Sequence, residues 1–129
     1  MRYLQLNQDC VRSILLELEE KLTLMDHVYL HDLKEYNTFK EFGENQSIYA
    51  ILKLIEVGYI NGKPQFASNK LHNLGIASLT WEGHVFLDNI RDNKIWSKTK
   101  EATKNFSSIS VTVLSKLANE YLMQQTGLR

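Results

Sequence analysis

Leu79-Thr80-Trp81-Glu82-Gly83-His84-Val85-Phe86-Leu87 joins two kinds of regular structure within nine residues. Ahead of it, Ile76-Ala77-Ser78-Leu79 alternates apolar with small or polar residues, the period-two pattern of a half-buried strand. From Thr80 onward the apolar residues Trp81, Val85, Phe86 and Ile90 recur at helical spacing. Thr80 stands at the hinge, where its hydroxyl is placed to accept a hydrogen bond from an orphan amide of the first helical turn. The stretch therefore reads as a strand running straight into a capped helix. Trp81 is expected to fill the gap between the preceding hairpin and the last helices.

Working back toward the N-terminus, Asn7 to Leu22 reads as a helix, with Val11, Ile14, Leu15, Leu18 and Leu22 as one apolar stripe and Asn7 or Asp9 as its cap. Residues 23–44 are less regular. They leave room for a short strand at Val28-Tyr29-Leu30 and a short helix within Asp32 to Phe42, with Leu33 and Tyr36 or Phe39 inward. Asn45 opens a second strong helix whose expected buried face is Ile48, Ile51, Leu52 and Ile55, with Gly58 as its left-handed terminator. Asn61-Gly62 reads as a tight turn and Pro64 as an edge-strand residue. Residues 65–79 then read as a hairpin with its tip in Ser68 to Asn73.

Beyond the junction, one helix is expected from Trp81 to Arg91 and another through Ile95, Trp96 and Lys100, capped by Asp92 or Asn93. Ser107 and Ser108 are expected to cap a last helix with the face Ile109, Val113, Leu114, Leu117, Tyr121 and Leu122.

The 129 residues suffice for one core, with the apolar and charged balance of an ordinary globular domain. No apolar run approaches the roughly 18 to 20 residues that span a bilayer, and the N-terminal residues lack a signal-peptide pattern. A single cysteine allows no intrachain disulfide, so a cytoplasmic location is expected. Formal net charge is zero, yet residues 1–45 carry 5 Lys/Arg against 9 Asp/Glu and residues 91–129 carry 7 against 3. Phosphate neutralisation supplies much of the affinity of a nucleic-acid binder, so this balance lowers the odds of that class without excluding it.

The element order resembles the winged-helix fold of bacterial regulators. Many of these carry a Leu-Thr-x-x-Gly-x-x-x-Leu signature where the wing returns into the next helix, matched by Leu79, Thr80, Gly83 and Leu87. They also carry a leucine-rich helix ending in Gly-Tyr-Ile or Gly-Leu-Ile, matched by Leu52 to Ile60. A longer run, Leu79 to Asp92 with Trp96 and Lys98, resembles a family of small bacterial and phage proteins catalogued as a domain of unknown function. The Ile14 to Glu20 helix matches that family too, whereas its frequent Tyr-His pair is Tyr49-Ala50 here.

These resemblances imply an α+β, winged helix-turn-helix-like domain over residues 1–92, with a small β-hairpin wing. A C-terminal helical extension over 93–129 is expected to pack on it as one compact unit.

That fold makes helix 45–57 the recognition element, with Gln46, Ser47, Tyr49, Ala50 and Lys53 expected on its exposed face. Lys63 and Lys70, with His72, would bring the wing to the phosphates of double-stranded DNA. Arg91, Lys94, Lys98, Lys100 and Lys104 around Trp96 read first as a solvated face over a packed indole, and second as a phosphate-tracking helix. Val113, Leu117, Tyr121 and Leu122 either close the core or form a homodimer contact.

His27 and His31 have the spacing of paired metal ligands on a helix, but no third ligand is evident and no metal is expected. Glu82 and His84 lack a nucleophile, so the chain reads as non-enzymatic, with no cofactor, small-molecule substrate or membrane partner. Cys10, flanking the first apolar stripe, reads as a buried thiol. The expected function is DNA-binding regulation. The alternative is a winged-helix scaffold used for protein–protein interaction or dimerisation.

Overall fold

A computed structural model of the chain describes residues 5–106 and 109–127. It is a mixed α+β protein of seven helices and one three-stranded antiparallel sheet among those residues. The elements run α1 (Gln8–Lys21), β1 (Val28–Tyr29), α2 (Leu30–Leu33), α3 (Asn37–Phe42), α4 (Glu44–Glu56), β2 (Ile60–Ala67), β3 (Lys70–Leu79), α5 (Trp81–Ile90), α6 (Asn93–Thr103) and α7 (Val111–Thr126). The chain divides into two compact units, residues 1–84 and 85–129.

In the first unit, α1 forms where the stripe predicts it. Asn7 is the cap, its side chain accepting from the Cys10 amide at 3.0 Å, and Val11, Ile14, Leu15 and Leu18 are buried. α3 begins at Tyr36, whose side chain gives no cap hydrogen bond. Its orphan amides are satisfied from α1 instead: Glu17 accepts from the backbone N–H of Asn37 at 2.7 Å and of Thr38 at 2.9 Å. The helix is short and depends on that partner for its first turn.

α4 is separated from α3 only by Gly43, whose φ of 88° is in the left-handed region that favours glycine. Its buried residues are Ser47, Ala50, Ile51 and Leu54. The sequence expectation placed Ser47 and Ala50 outward, and this is corrected: both are fully buried. Their smallness lets the helix pack against α1 and α3, where Ser47 Oγ donates to the Thr38 carbonyl at 3.3 Å and the Cys10 thiol lies 4.0 Å from Ser47 Oγ. Ile48, Leu52 and Ile55 are only half-buried.

The sheet order is β1-β3-β2, so β2 is an edge strand, as Pro64 requires. The hairpin is longer than expected. Its turn is the pair Ser68-Asn69, both at positive φ (52° and 65°), the geometry of a two-residue hairpin turn that matches strand twist. Asn61-Gly62 is not a turn but the site of a register shift inside β2. Glycine fits there because a Cβ on Gly62 would meet Ile55 Cδ1 at 3.0 Å and the Gly75 carbonyl at 3.1 Å. A second shift between Gln65 and Phe66 leaves His72 bulged and pairs Phe66 with Leu71.

The Leu79–Leu87 stretch ends β3 and begins α5 as expected, and its hydrogen bonds explain its residues. Thr80 Oγ1 accepts from the Gly83 amide at 3.0 Å and donates to the Gly58 carbonyl, while the Thr80 amide donates to the Tyr59 carbonyl at 3.0 Å. The strand-to-helix junction is thereby fastened to the chain leaving α4, where Gly58 has a φ of 87°. Trp81 does not fill a gap: it is 79% exposed. The inward phase of α5 is Gly83, Phe86, Leu87 and Ile90, which leaves Trp81 and Val85 on the other side.

In the second unit, Asp92 caps α6 by accepting from the Ile95 amide at 2.9 Å. Trp96 is 4% exposed, so it packs inward as its first reading held. α6 and α7 pack together, and Asn89 Nδ2 donates to Ser115 Oγ at 2.9 Å. Ser107 and Ser108 lie outside the described residues. The N-cap of α7 is Ser110, whose side chain accepts from the Val113 amide at 3.2 Å.

A Cβ on Gly83 would lie inside the van der Waals surface of the Tyr59 carbonyl oxygen, a backbone atom that cannot swing away. Gly83→Ala should therefore destabilise the protein by about 2–4 kcal/mol despite alanine's better helix propensity. Urea unfolding reads this directly, and an unchanged or raised midpoint would show that Gly83 makes no such close approach.

Candidate nucleic-acid interface

The four buried residues of α4 take the side facing α1 and α3. With about 100° between successive residues, the opposite side carries Asn45, Tyr49, Leu52 and Glu56, flanked by Ile48 and Lys53. Beside this face and the hairpin runs a groove of ≈ 730 Å³. Its apolar lining is Leu30, Ile48, Leu52 and Leu71; Lys34, Glu44, Asn45, Tyr49, Lys70 and His72 supply polar groups.

The groove brings together three of the expected or associated site residues, Tyr49, Lys70 and His72. The other candidates are distributed differently. Lys63 lies on the sheet face away from the buried Leu74 and Ile76, lining a separate hollow of ≈ 380 Å³ with His27, Tyr29, Asn61, Gln65 and Asn73. Gln46 is half-buried, with Oε1 buried and lacking a hydrogen-bond partner among the described residues. Ser47 and Ala50 belong to the core. Asn45, by contrast, is exposed, and its side chain makes no hydrogen bond among the described residues.

The electrostatics of this face are mixed. Lys53 Nζ donates to Glu56 Oε2 at 2.8 Å and lies 5.5 Å from the centroid of the Tyr49 ring. The Glu56 carboxylate, through that hydrogen bond and its charge, holds the Lys53 ammonium above its ordinary value. Lys34 and Glu44 pair at 3.8 Å. Residues 1–84 carry eight Lys/Arg against eleven Asp/Glu, whereas residues 85–129 carry seven against four.

In the second unit, Arg91 pairs with Asp88 at 2.8 Å and Lys104 with Glu101 at 2.9 Å. Lys98 lies 4.4 Å from the Tyr121 ring centroid and Lys100 lies 5.9 Å from that of Trp96. Local partners and a buried indole match the reading of this run as a solvated face. On α7, Leu114 and Ala118 are buried, Val113 is 50% exposed, and Leu117, Tyr121 and Leu122 are half-buried.

His27 and His31 do not share a helix face, because β1 separates them; His27 instead stacks on Tyr29 with ring centroids 6.0 Å apart. Among the described residues no cluster of His, Cys, Asp and Glu is arranged to hold a metal ion. His84 Nδ1 lies 4.0 Å from Glu19, and both are partly exposed. Burial raises the Cys10 thiol above its ordinary value, as expected for an inert buried cysteine.

The group that caps α3, the helix leading into α4, was not evident from the sequence. Glu17, with a side chain 10% exposed, accepts from Thr38 Oγ1 at 2.7 Å as well as from the two α3 amides, and Lys21 reaches it at 3.0 Å. Since the Thr38 hydroxyl donates to Glu17, the 2.6 Å contact between Ser13 and Thr38 is donated by Ser13. Burial alone would raise the Glu17 carboxyl, but the Thr38, Asn37 and Lys21 donors outweigh it and hold the group below 4.5.

This arrangement defines a mixed α+β protein in which α2, α4 and the hairpin border an open groove. The chain belongs to the family described as hypothetical protein (DUF2513), which it matches over residues 5–110. It is also 29% identical over 119 residues to an uncharacterised protein of Haemophilus influenzae, spanning 92% of this chain and 95% of that one. No solved structure matches it. No helix among the described residues is long and apolar enough to cross a membrane.

A carboxylate held below its ordinary value stabilises the fold fully above about pH 4.5 and progressively less as pH falls through its folded value. Glu17→Gln should therefore cost about 1–3 kcal/mol near neutral pH, where the charged acceptor is lost, with the gap to wild type closing at acid pH. Thermal unfolding across pH 3 to 7 reads this, and a gap independent of pH would mean the charge is not what α3 uses.

Proposed function

We propose that residues 1–84 form a winged helix-turn-helix that binds double-stranded DNA, with α4 in the major groove and the β2–β3 hairpin as the wing. The observation that carries this reading is topological. One long helix, a short strand, the one-turn helix α2, two helices in tight succession and a long hairpin follow one another, and β3 lies between β1 and β2 in the sheet. That order, with α4 fastened at both ends and its outward residues bordering an open groove, suits insertion of a helix into a groove. The chain acts in this reading as a binding protein rather than a catalyst, at a cytoplasmic location.

The contact residues in this reading are Asn45, Tyr49 and Lys53 on α4 and Lys70 on the hairpin, with Lys63 reaching phosphate from the far sheet face. Ser47 and Ala50 take no part. A homodimer through Val113, Leu117, Tyr121 and Leu122 of α7 would present two such units to two half-sites about one helical turn apart.

A second reading has its own support. The acid excess of residues 1–84 and the apolar lining of the groove favour a protein partner over a polyanion. In that reading the same scaffold is an interaction module.

Titration of labelled mixed-sequence duplex over a salt series separates the two. With Lys63 and Lys70 as the cations near phosphate, log K should fall against log salt with a slope of about −2, and Lys70→Ala should reduce it by about 1. Absence of binding at the lowest salt would reject the DNA reading, since counterion release favours binding most there. Sedimentation at the same concentrations reads the dimer, which a monomer alone at all concentrations would remove.

A further inference from the structure

We infer that the α4 face reads A·T-rich duplex through thymine methyl groups, an inference that rests on the DNA-binding reading above. The residues opposite the buried side of α4 are Asn45, Tyr49 and Leu52, with Ile48 alongside. Asn45, Ile48 and Leu52 have chemically suited partners in the major groove. An asparagine amide pairs bidentately with the N6 and N7 edge of adenine, and apolar side chains contact the thymine C5-methyl.

What this face lacks sharpens the assignment. Guanine is read mainly by arginine or lysine donating to O6 and N7. No arginine stands in α4, and its one lysine, Lys53, is held by Glu56 at 2.8 Å. Asn45 is exposed and uncommitted among the described residues, whereas the Gln46 amide oxygen is buried. Ile48 and Leu52 are half-buried in the groove lining, so each presents a fixed apolar surface rather than a mobile side chain.

Phosphate contacts carry no sequence information, so any discrimination by this face rests on its amide and apolar contacts to bases. Burial of one methyl group is worth about a fourfold change in affinity. Two or three such contacts would set an appreciable preference.

Fluorescence anisotropy at low salt with labelled duplexes of equal length tests this. One duplex contains only A·T pairs, one only G·C pairs, and one is the A·T duplex with every thymine replaced by uracil. The A·T duplex should bind at least tenfold tighter than the G·C duplex, and uracil should weaken it about fourfold for each methyl lost from the interface. Leu52→Ala should weaken binding to the thymine duplex while leaving the uracil duplex nearly unaffected.

Should Leu52→Ala unfold, the exposed Asn45→Ala variant serves, with an expected loss of part of the A·T over G·C preference and an unchanged thymine over uracil difference. Equal affinity for thymine and uracil duplexes, or for A·T and G·C, would overturn this inference and leave duplex binding standing. Absence of binding to every duplex would overturn both.

Discussion

The packing of Ser47 and Ala50 into the core is the constraint on which the rest of the first unit depends. Two small residues on one side of α4 let its backbone approach α1 and α3, and Ile51 and Leu54 complete the buried stripe. A helix has one axis and a fixed rotation per residue, so committing that side fixes what the other presents. Asn45, Tyr49 and Leu52 are outward because Ser47, Ala50 and Ile51 are inward. A larger residue at position 47 or 50 would push α4 from α1 and disturb the Ser47–Thr38 bond that links it to α3.

A polar chain supports this packing from beneath. Glu17 on α1 supplies the cap that Tyr36 cannot give to α3, Thr38 carries the connection to Ser47, and Ser47 joins α4 to the Cys10 side of α1. Thr38 and Ser47 are fully buried, so each depends on these partners to satisfy its hydroxyl. From the far end, Thr80 and Gly83 fasten the hairpin's return to Gly58 and Tyr59. Side-chain-to-backbone bonds thus fasten both the entry to α4 and the chain that leaves it.

Much of this fold was legible in the chain. The α1 stripe, the Gly58 terminator, the edge position of Pro64, the Thr80 hinge and the Asp92 cap all follow from local chemistry, and local chemistry decided them. Errors arose where two patterns were both available. In α4, residues 48, 51, 52 and 55 form an apolar stripe, but so do 47, 50, 51 and 54 once small residues count as buried. Only the approach of α1 chooses between them. Asn61-Gly62 suited a turn, yet the close approach of Ile55 made Gly62 a strand residue and left the turn to Ser68-Asn69. Trp81 was assigned inward from size, whereas the phase of α5 is set by Gly83, Phe86, Leu87 and Ile90. Glu17 lies off the apolar stripe of α1, and nothing adjacent in the chain points to its role, because the amides it caps lie some twenty residues away.

The central claim is that the outward face of α4, together with the hairpin, is the surface that meets DNA. Backbone amide shifts in a ¹⁵N-labelled sample, followed as duplex is added at low salt, test it residue by residue. The account predicts shifts concentrated in residues 44–53 and 63–72, with little change along residues 9–20 of α1. Shifts confined to residues 91–104, or none at all, would contradict it.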